Sequence, residues 1–318
     1  MIFIDKQGEA AAALNDALGG TDYVSRLERE VAEITDKSTV AVSTLDGAVH
    51  TALHLCGVGR GDYVFVPTFT FYSYLAPVTN MGAVPVFLDC DPETRCVSPL
   101  ALETALVWAG LQNKPPKAVI IDNAFGSVAD YDKLVPMCKA WNVPTVELCA
   151  NVLCGGRYDC DYAAVGFGGI GGAVCGDDCT AARRFARYEY TDGENHDYRL
   201  NNFTAALACA HLSVLSKIHE RNKANLAALT SALDCVMPPV KGDGAFFALC
   251  RTDKVKSIEA AGFAVMRPPL AHTLPKYDGC HYFEHEQGYS VCQSLGAYAL
   301  ISMDFSPFRR AKLISMLK

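Results

Sequence analysis

Asp46 and His50 stand four residues apart, the spacing that sets a carboxylate and an imidazole one helical turn apart on a shared face. Such a pair can hold or move a proton, and it can equally be packing. A second group is Cys149, Asn151 and Cys154, closing an apolar run where a strand would deliver them to a sheet edge. A thiol becomes a nucleophile when a base takes its proton, and His196 or His272 could serve as that base. The plainer reading is that cysteine on a buried strand packs as a small hydrophobe. Cys149, Cys154, Cys160, Cys175 and Cys179 raise metal binding, but they lack the paired C-x-x-C knuckles of a structural zinc site, and no metal is expected. Gly168-Gly169-Ile170-Gly171-Gly172 invites a phosphate-loop reading. It has neither the Lys-Ser/Thr of a P-loop nor G-x-G-x-x-G spacing, and suits a tight strand-to-strand crossing better.

The elements that must position these groups alternate. Apolar β-rich runs cover 63–66, 84–88, 118–121 and 145–148, and helical patterns fall at 47–57, 71–82, 98–110 and 130–142. Runs apolar on both faces predict a mostly parallel sheet covered by helices. Gly57 to Asp62 reads as a turn between a helix and a strand. The stretch 200–233 reads as one long amphipathic helix, with a basic patch at Lys217, Arg221 and Lys223. Beyond Pro238-Pro239 come a strand at 244–250, a helix at 253–261, a strand at 297–303 and a terminal helix. The division expected is a large α/β domain over 1–205, then the long helix plus a small α+β C-terminal domain over 206–318.

Composition bounds the function. The chain has 318 residues, half of them hydrophobic and one fifth charged, enough for a substantial core. A formal charge of −7 argues against nucleic acid or an anionic membrane surface as a partner. The apolar start Met1-Ile2-Phe3-Ile4 is too short for a signal peptide, and no apolar stretch spans a bilayer, so a cytoplasmic location is expected. Without a secretory signal, the fourteen cysteines are expected to be reduced.

Four strings, in order, carry a resemblance. Gly57-Val58-Gly59-Arg60-Gly61-Asp62-Tyr63-Val64-Phe65-Val66-Pro67-Thr68-Phe69-Thr70-Phe71 is similar to G-[IV]-G-x-G-D-E-V-[IL]-[VT]-P-[ST]-[FL]-T-[FW], and Gly82 to Asp89 to G-A-x-P-V-F-V-D. Tyr198-Arg199-Leu200-Asn201 is similar to N-Y-R-M-S, and Ala271-His272-Thr273-Leu274-Pro275-Lys276-Tyr277 to L-H-L-Q-P-A-Y. These are signatures of the DegT/DnrJ/EryC1/StrS family of pyridoxal-phosphate sugar aminotransferases. The resemblance implies the fold-type-I aminotransferase architecture, a mostly parallel sheet in a large lobe with a small α+β C-terminal lobe. It also implies a dimer with active sites between subunits.

The resemblance further implies four cofactor devices, and the chain departs from three. The family's Schiff-base lysine follows a strand whose end matches Phe167, but Phe167 to Gly172 carries no lysine, and none occurs between Lys139 and Lys217. The family's ring-nitrogen aspartate is matched by Leu148 in Glu147-Leu148-Cys149-Ala150-Asn151, and Glu147 should point to the other face. The phosphate turn is matched by Thr44-Leu45-Asp46, where Asp46 brings a carboxylate and reads as an N-cap. The asparagine that reaches a phosphate across the interface is matched by Asp197. The stacking aromatic is matched by Phe71.

The expectation is therefore a family member of nucleotide-sugar or polysaccharide biosynthesis type that holds no cofactor, its ancestral pyridoxal phosphate lost. It would act as a non-catalytic partner or ligand-binding subunit, in a homodimer or in a heterodimer with a catalytic relative, and take a nucleotide-sugar ligand. His50, Tyr198, Arg199 and His272 are the expected ligand contacts. Two alternatives stand beside it: an active sugar aminotransferase or dehydratase with a displaced lysine, and a new cofactor-independent enzyme in the same cleft.

Overall fold

A computed structural model describes residues 7–150, 153, 156–187, 196–238, 246–260, 262–267, 270–288 and 290–317. Its strands are β1 (Ser38–Val42), β2 (Tyr63–Pro67), β3 (Val84–Leu88), β4 (Ala118–Asp122), β5 (Thr145–Cys149), β6 (Tyr162–Gly166), β7 (Gly172–Gly176), β8 (Phe247–Arg251), β9 (Val265–Met266), β10 (Tyr282–Phe283) and β11 (Tyr298–Ser302). The helices are α1 (Gln7–Leu18), α2 (Tyr23–Thr35), α3 (Leu45–Leu55), α4 (Ala76–Asn80), α5 (Pro99–Leu111), α6 (Tyr131–Ala140), α7 (Thr180–Ala186), α8 (Asn202–Leu212), α9 (Leu215–Ala232), α10 (Val255–Ala260), α11 (Val291–Leu295) and α12 (Pro307–Leu317).

Eight strands form one sheet in the order β1-β7-β6-β5-β4-β2-β3-β10, and β8-β11-β9 form a second. The large sheet is parallel except at β7, which runs antiparallel to both β1 and β6. Helices cover both faces, which is why β4 and β5 are buried at every position. Ala118, Ile120, Val146 and Leu148 pack toward α3, whereas Val119 and Ile121 pack toward α5 and α6. That alternation decides which side chains of β4 and β5 look toward α3. Among the described residues, no helix is long and apolar enough to cross a membrane.

Two helical expectations are corrected. The stretch 200–233 is two helices, broken at Ser213-Val214, where the Ser213 hydroxyl donates to the Ala210 carbonyl at 2.8 Å and competes with the ladder. The break lets Ala205, Ala206 and Cys209 pack on α1 and α2 while Leu226 and Leu229 enter the core of the small sheet. Within 71–82, a 3-10 turn at Tyr72–Leu75 precedes α4, because Pro77 favours the start of a helix over its interior.

The glycine run is a tight crossing. It turns β6 back onto β7, with the Phe167 amide donating to the Gly171 carbonyl at 3.0 Å. Gly169 has φ +94°, a backbone region that side-chain-bearing residues rarely enter. At Gly172 the constraint is space, since a Cβ there would lie 2.8 Å from the Val165 carbonyl oxygen and 3.0 Å from that of Thr44.

Candidate functional site

A cavity of about 390 Å³ opens where the crossing meets the N-terminus of α3. Its near wall is Ser43, Thr44, Leu45 and Asp46, and Gly166 to Gly169 with Gly171 form an adjoining edge. Phe71 and Tyr74 line another side, and His211, Asn222, Ser302 and Asp304 form a polar far wall contributed by α8, α9 and the end of β11. The volume falls in the range of small-molecule sites, about 300–1,000 Å³.

At α3 the N-cap is Thr44, not Asp46. The Thr44 hydroxyl accepts from the Gly47 amide at 2.9 Å. A threonine one position ahead of the helix has the extended backbone a cap requires, which Asp46, inside the first turn, lacks. Asp46 is thus left on the cavity wall beside the helix N-terminus, and burial pushes its carboxyl pKa up.

Other sequence-derived residues scatter. Phe71 lines the cavity, with its ring centroid 4.8 Å from that of Phe125 and 5.4 Å from that of Tyr74. Leu148 is wholly buried in the core beneath α3 and is not on the cavity wall. Asp197 is not there either. It holds Arg199 through two hydrogen bonds, 2.8 Å to Nε and 2.7 Å to Nη2, and both side chains are largely exposed. Asn151 and Cys154 lie outside the described residues.

His50 turns away from Asp46. Its Nδ1 lies 2.6 Å from the Tyr198 hydroxyl, and its ring meets those of His196 and Phe185. Burial, with His196 and His54 nearby, pushes its pKa down to about 4. Tyr198 lies across Gly47 on α3 and does not line the cavity. His272 hydrogen-bonds Thr68 and stacks on Tyr282 at 4.1 Å, again off the cavity.

No Cys–His pair forms at Cys149. Its thiol donates to Glu147 Oε1 at 3.1 Å, and burial, reinforced by that carboxylate, raises its pKa well above the ordinary value. Glu147 points away from α3, as side-chain alternation requires, and accepts from Asn123 at 2.9 Å and from the Tyr158 amide at 2.9 Å. The described cysteines form no disulfide, and among the described residues no cluster of potential metal ligands occurs.

Three features escaped the sequence reading. Tyr74 and the polar far wall come from segments distant in the chain, which no spacing argument joins. The far wall holds the Arg221–Asp304 ion pair, and the buried Nδ1 of His211 has no hydrogen-bond partner among the described residues. The third is Asp122, whose signal was visible: a carboxylate closing the apolar run Ala118 to Ile121. It is 3% exposed, accepts a hydrogen bond from Thr70, and is pushed up to about 7 by burial.

This sheet order, with the antiparallel β7 and the cavity at the α3 N-terminus, defines a fold-type-I aminotransferase scaffold. A crystal structure of a DegT DnrJ EryC1 StrS aminotransferase from Brucella abortus superposes with a TM-score of 0.85, covering 98% of this chain and 95% of that one at 21% identity. The sequence profile of the DegT/DnrJ/EryC1/StrS aminotransferase family matches residues 5–164, and the chain belongs to that family. It is 31% identical over 319 residues to a Bacillus subtilis (strain 168) protein named "Putative pyridoxal phosphate-dependent aminotransferase EpsN", covering 86% of this chain and 80% of EpsN. It is 27% identical over 239 residues to the GDP-perosamine synthase of Escherichia coli O157:H7, covering 64% of this chain and 63% of that one.

These relationships correct the expectation that the cofactor has been lost. The chain belongs to an aminotransferase family and matches a relative named for pyridoxal phosphate, and its cavity at the α3 N-terminus is open. Leu148 and the glycine crossing do not close that space.

Proposed function

We propose that this chain binds a cofactor of the pyridoxal-phosphate class and a sugar-type ligand in the α3 cavity, without a covalent link from a lysine of its own. It then serves nucleotide-sugar or polysaccharide biosynthesis as a ligand-binding or partner subunit. The observation that carries the reading is the lining itself: the cavity has room for a small molecule, and among the described residues no lysine stands on its wall.

The residues present suit the ring of such a group. Phe71 offers an aromatic face, and the start of α3 directs N–H groups and the positive end of its dipole toward an anionic tail. Asp46 opposes that tail when ionised, and burial favours its neutral form. The far wall offers polar groups to a polyhydroxylated ligand, with Ser302 and the Asp304 carboxylate on the lining. When bound, the cofactor supplies an electron-withdrawing ring that stabilises negative charge on an attached carbon. The chain's own residues bind, orient and exclude water. An amine for covalent anchoring would come from a lysine-bearing family member, which makes such a protein the expected partner.

The test is titration with pyridoxamine phosphate, followed by absorbance, alone and with a nucleotide-linked keto sugar. Saturable binding to the chain alone, with amination of the sugar only after a lysine-bearing family member is added, supports the reading. Steady amination by the chain alone, or no saturable binding, contradicts it.

A further inference from the structure

Asp304 lies two residues beyond the end of β11 and stands on the far wall of the cavity, beside Ser302. The turn that presents it is fixed from α9. The buried Asn225 side-chain amide donates to the Met303 carbonyl at 2.9 Å and to the Phe305 carbonyl at 2.8 Å. One donor group thus holds the backbone on both sides of Asp304. One turn earlier on α9, the Arg221 guanidinium donates to Asp304 Oδ1. Arg221 is not itself on the cavity wall, so its charge keeps Asp304 ionised without occupying the ligand's space.

The second carboxylate oxygen is left over. Among the described residues no hydrogen bond reaches Asp304 Oδ2. An ionised carboxylate is an acceptor only, so this oxygen calls for a donor. The wall offers no competing cation: among the described residues its lining holds neither Lys nor Arg. Burial outweighs the nearby Asp304 charge and pushes the His211 pKa down, which leaves that imidazole neutral at pH 7. A ligand hydroxyl or ammonium satisfies Oδ2. A ligand carboxylate sets acceptor against acceptor and charge against like charge.

We propose that Asp304 is the specificity-determining residue of the far wall: its Oδ2 accepts a hydrogen bond from the ligand, admitting neutral and amine-bearing sugars and excluding those that carry a carboxylate. The inference deepens the ligand reading above and rests on it. Arg221 is the positioning residue, fixing one carboxylate oxygen and leaving the other for the ligand. Preorganisation by α9 makes the contact selective, because the carboxylate cannot swing away from an unsuitable group.

The experiment is calorimetric titration of the full chain with glucosamine and with glucuronate at pH 7 and fixed ionic strength. In the wild type, glucosamine is expected to bind at least about tenfold more tightly than glucuronate. Asp304→Asn should bring the two within about threefold, by weakening glucosamine and strengthening glucuronate together. Asp304→Glu, which keeps the charge, should retain the ranking. Arg221→Gln should weaken glucosamine, and Arg221→Lys should restore most of the loss, a rescue that lost packing alone would not give. Equal wild-type affinities, or a ranking unchanged in Asp304→Asn, overturn the assignment while leaving the ligand reading intact. The wild-type ranking decides even where a variant fails to fold. Absence of saturable binding of either sugar removes the sugar part of the ligand reading, and the assignment falls with it.

Discussion

Tyr198 and His50 are joined by a 2.6 Å contact between the phenol oxygen and Nδ1, fastening the segment after α7 to the middle of α3. His50 is held neutral, with its pKa pushed down to about 4 by burial and by the neighbouring His196 and His54. A group with a folded pKa below its unfolded value of 6.5 contributes stability that is complete above that value. The contribution is lost as pH falls through the folded pKa. Between pH 7 and pH 4.5, the wild-type melting temperature should therefore fall a few degrees further than that of His50→Gln. Parallel melting curves check this.

Asp46 places a carboxylate beside the N–H groups of α3, on the cavity wall. Removing it with Asp46→Ser should tighten pyridoxamine phosphate five- to tenfold, about 1 kcal/mol, at some cost to the helix end. In the wild type, binding should strengthen as pH falls through the raised carboxyl pKa, because the protonated form no longer repels the phosphate. Calorimetric titration across pH checks both, and equal affinities at all pH values would contradict the placement.

Asp122 makes the opposite stability prediction from His50. Its folded pKa of about 7 lies above the ordinary aspartate value of 3.8, so stability is full below 3.8 and declines as pH rises through about 7. Asp122→Asn should be the more stable protein at pH 8 in the absence of ligand, by at most about 4 kcal/mol. Denaturant unfolding at pH 5 and pH 8 measures the difference.

The glycine crossing separates two kinds of constraint. Gly172→Ala drives a methyl into backbone atoms of β6 and of the α3 start, and should cost about 1–3 kcal/mol and weaken ligand binding. Gly169→Ala meets open space and bears only the strain of a positive φ, roughly 1–2 kcal/mol, with binding unchanged. Unfolding curves with pyridoxamine phosphate titrations distinguish them.

Much of the scaffold was legible. The runs at 63–66, 84–88, 118–121 and 145–148 became β2, β3, β4 and β5 with ends within one residue, because buried parallel strands are continuous apolar runs. The break at Ser213-Val214 was not legible, since apolar residues recur on both sides of it and only packing partners differ. Phe71, Thr44, Leu45 and Asp46 were found from their strings and do line the cavity. Arg199 and Asp197 pair with each other two residues apart on an exposed segment, away from the cavity of their own chain. Asp122 and the far wall depend on strand register and on α8 and α9 folding back over the cavity. Neither is written in any local spacing.

The central claim is a cavity that seats the cofactor without a covalent bond to this chain. Incubation with pyridoxal phosphate, borohydride reduction and peptide mass mapping tests it most directly. Saturable binding that dialysis reverses is expected, with no lysine modified stoichiometrically. A single lysine carrying one reduced pyridoxyl group per chain would contradict it.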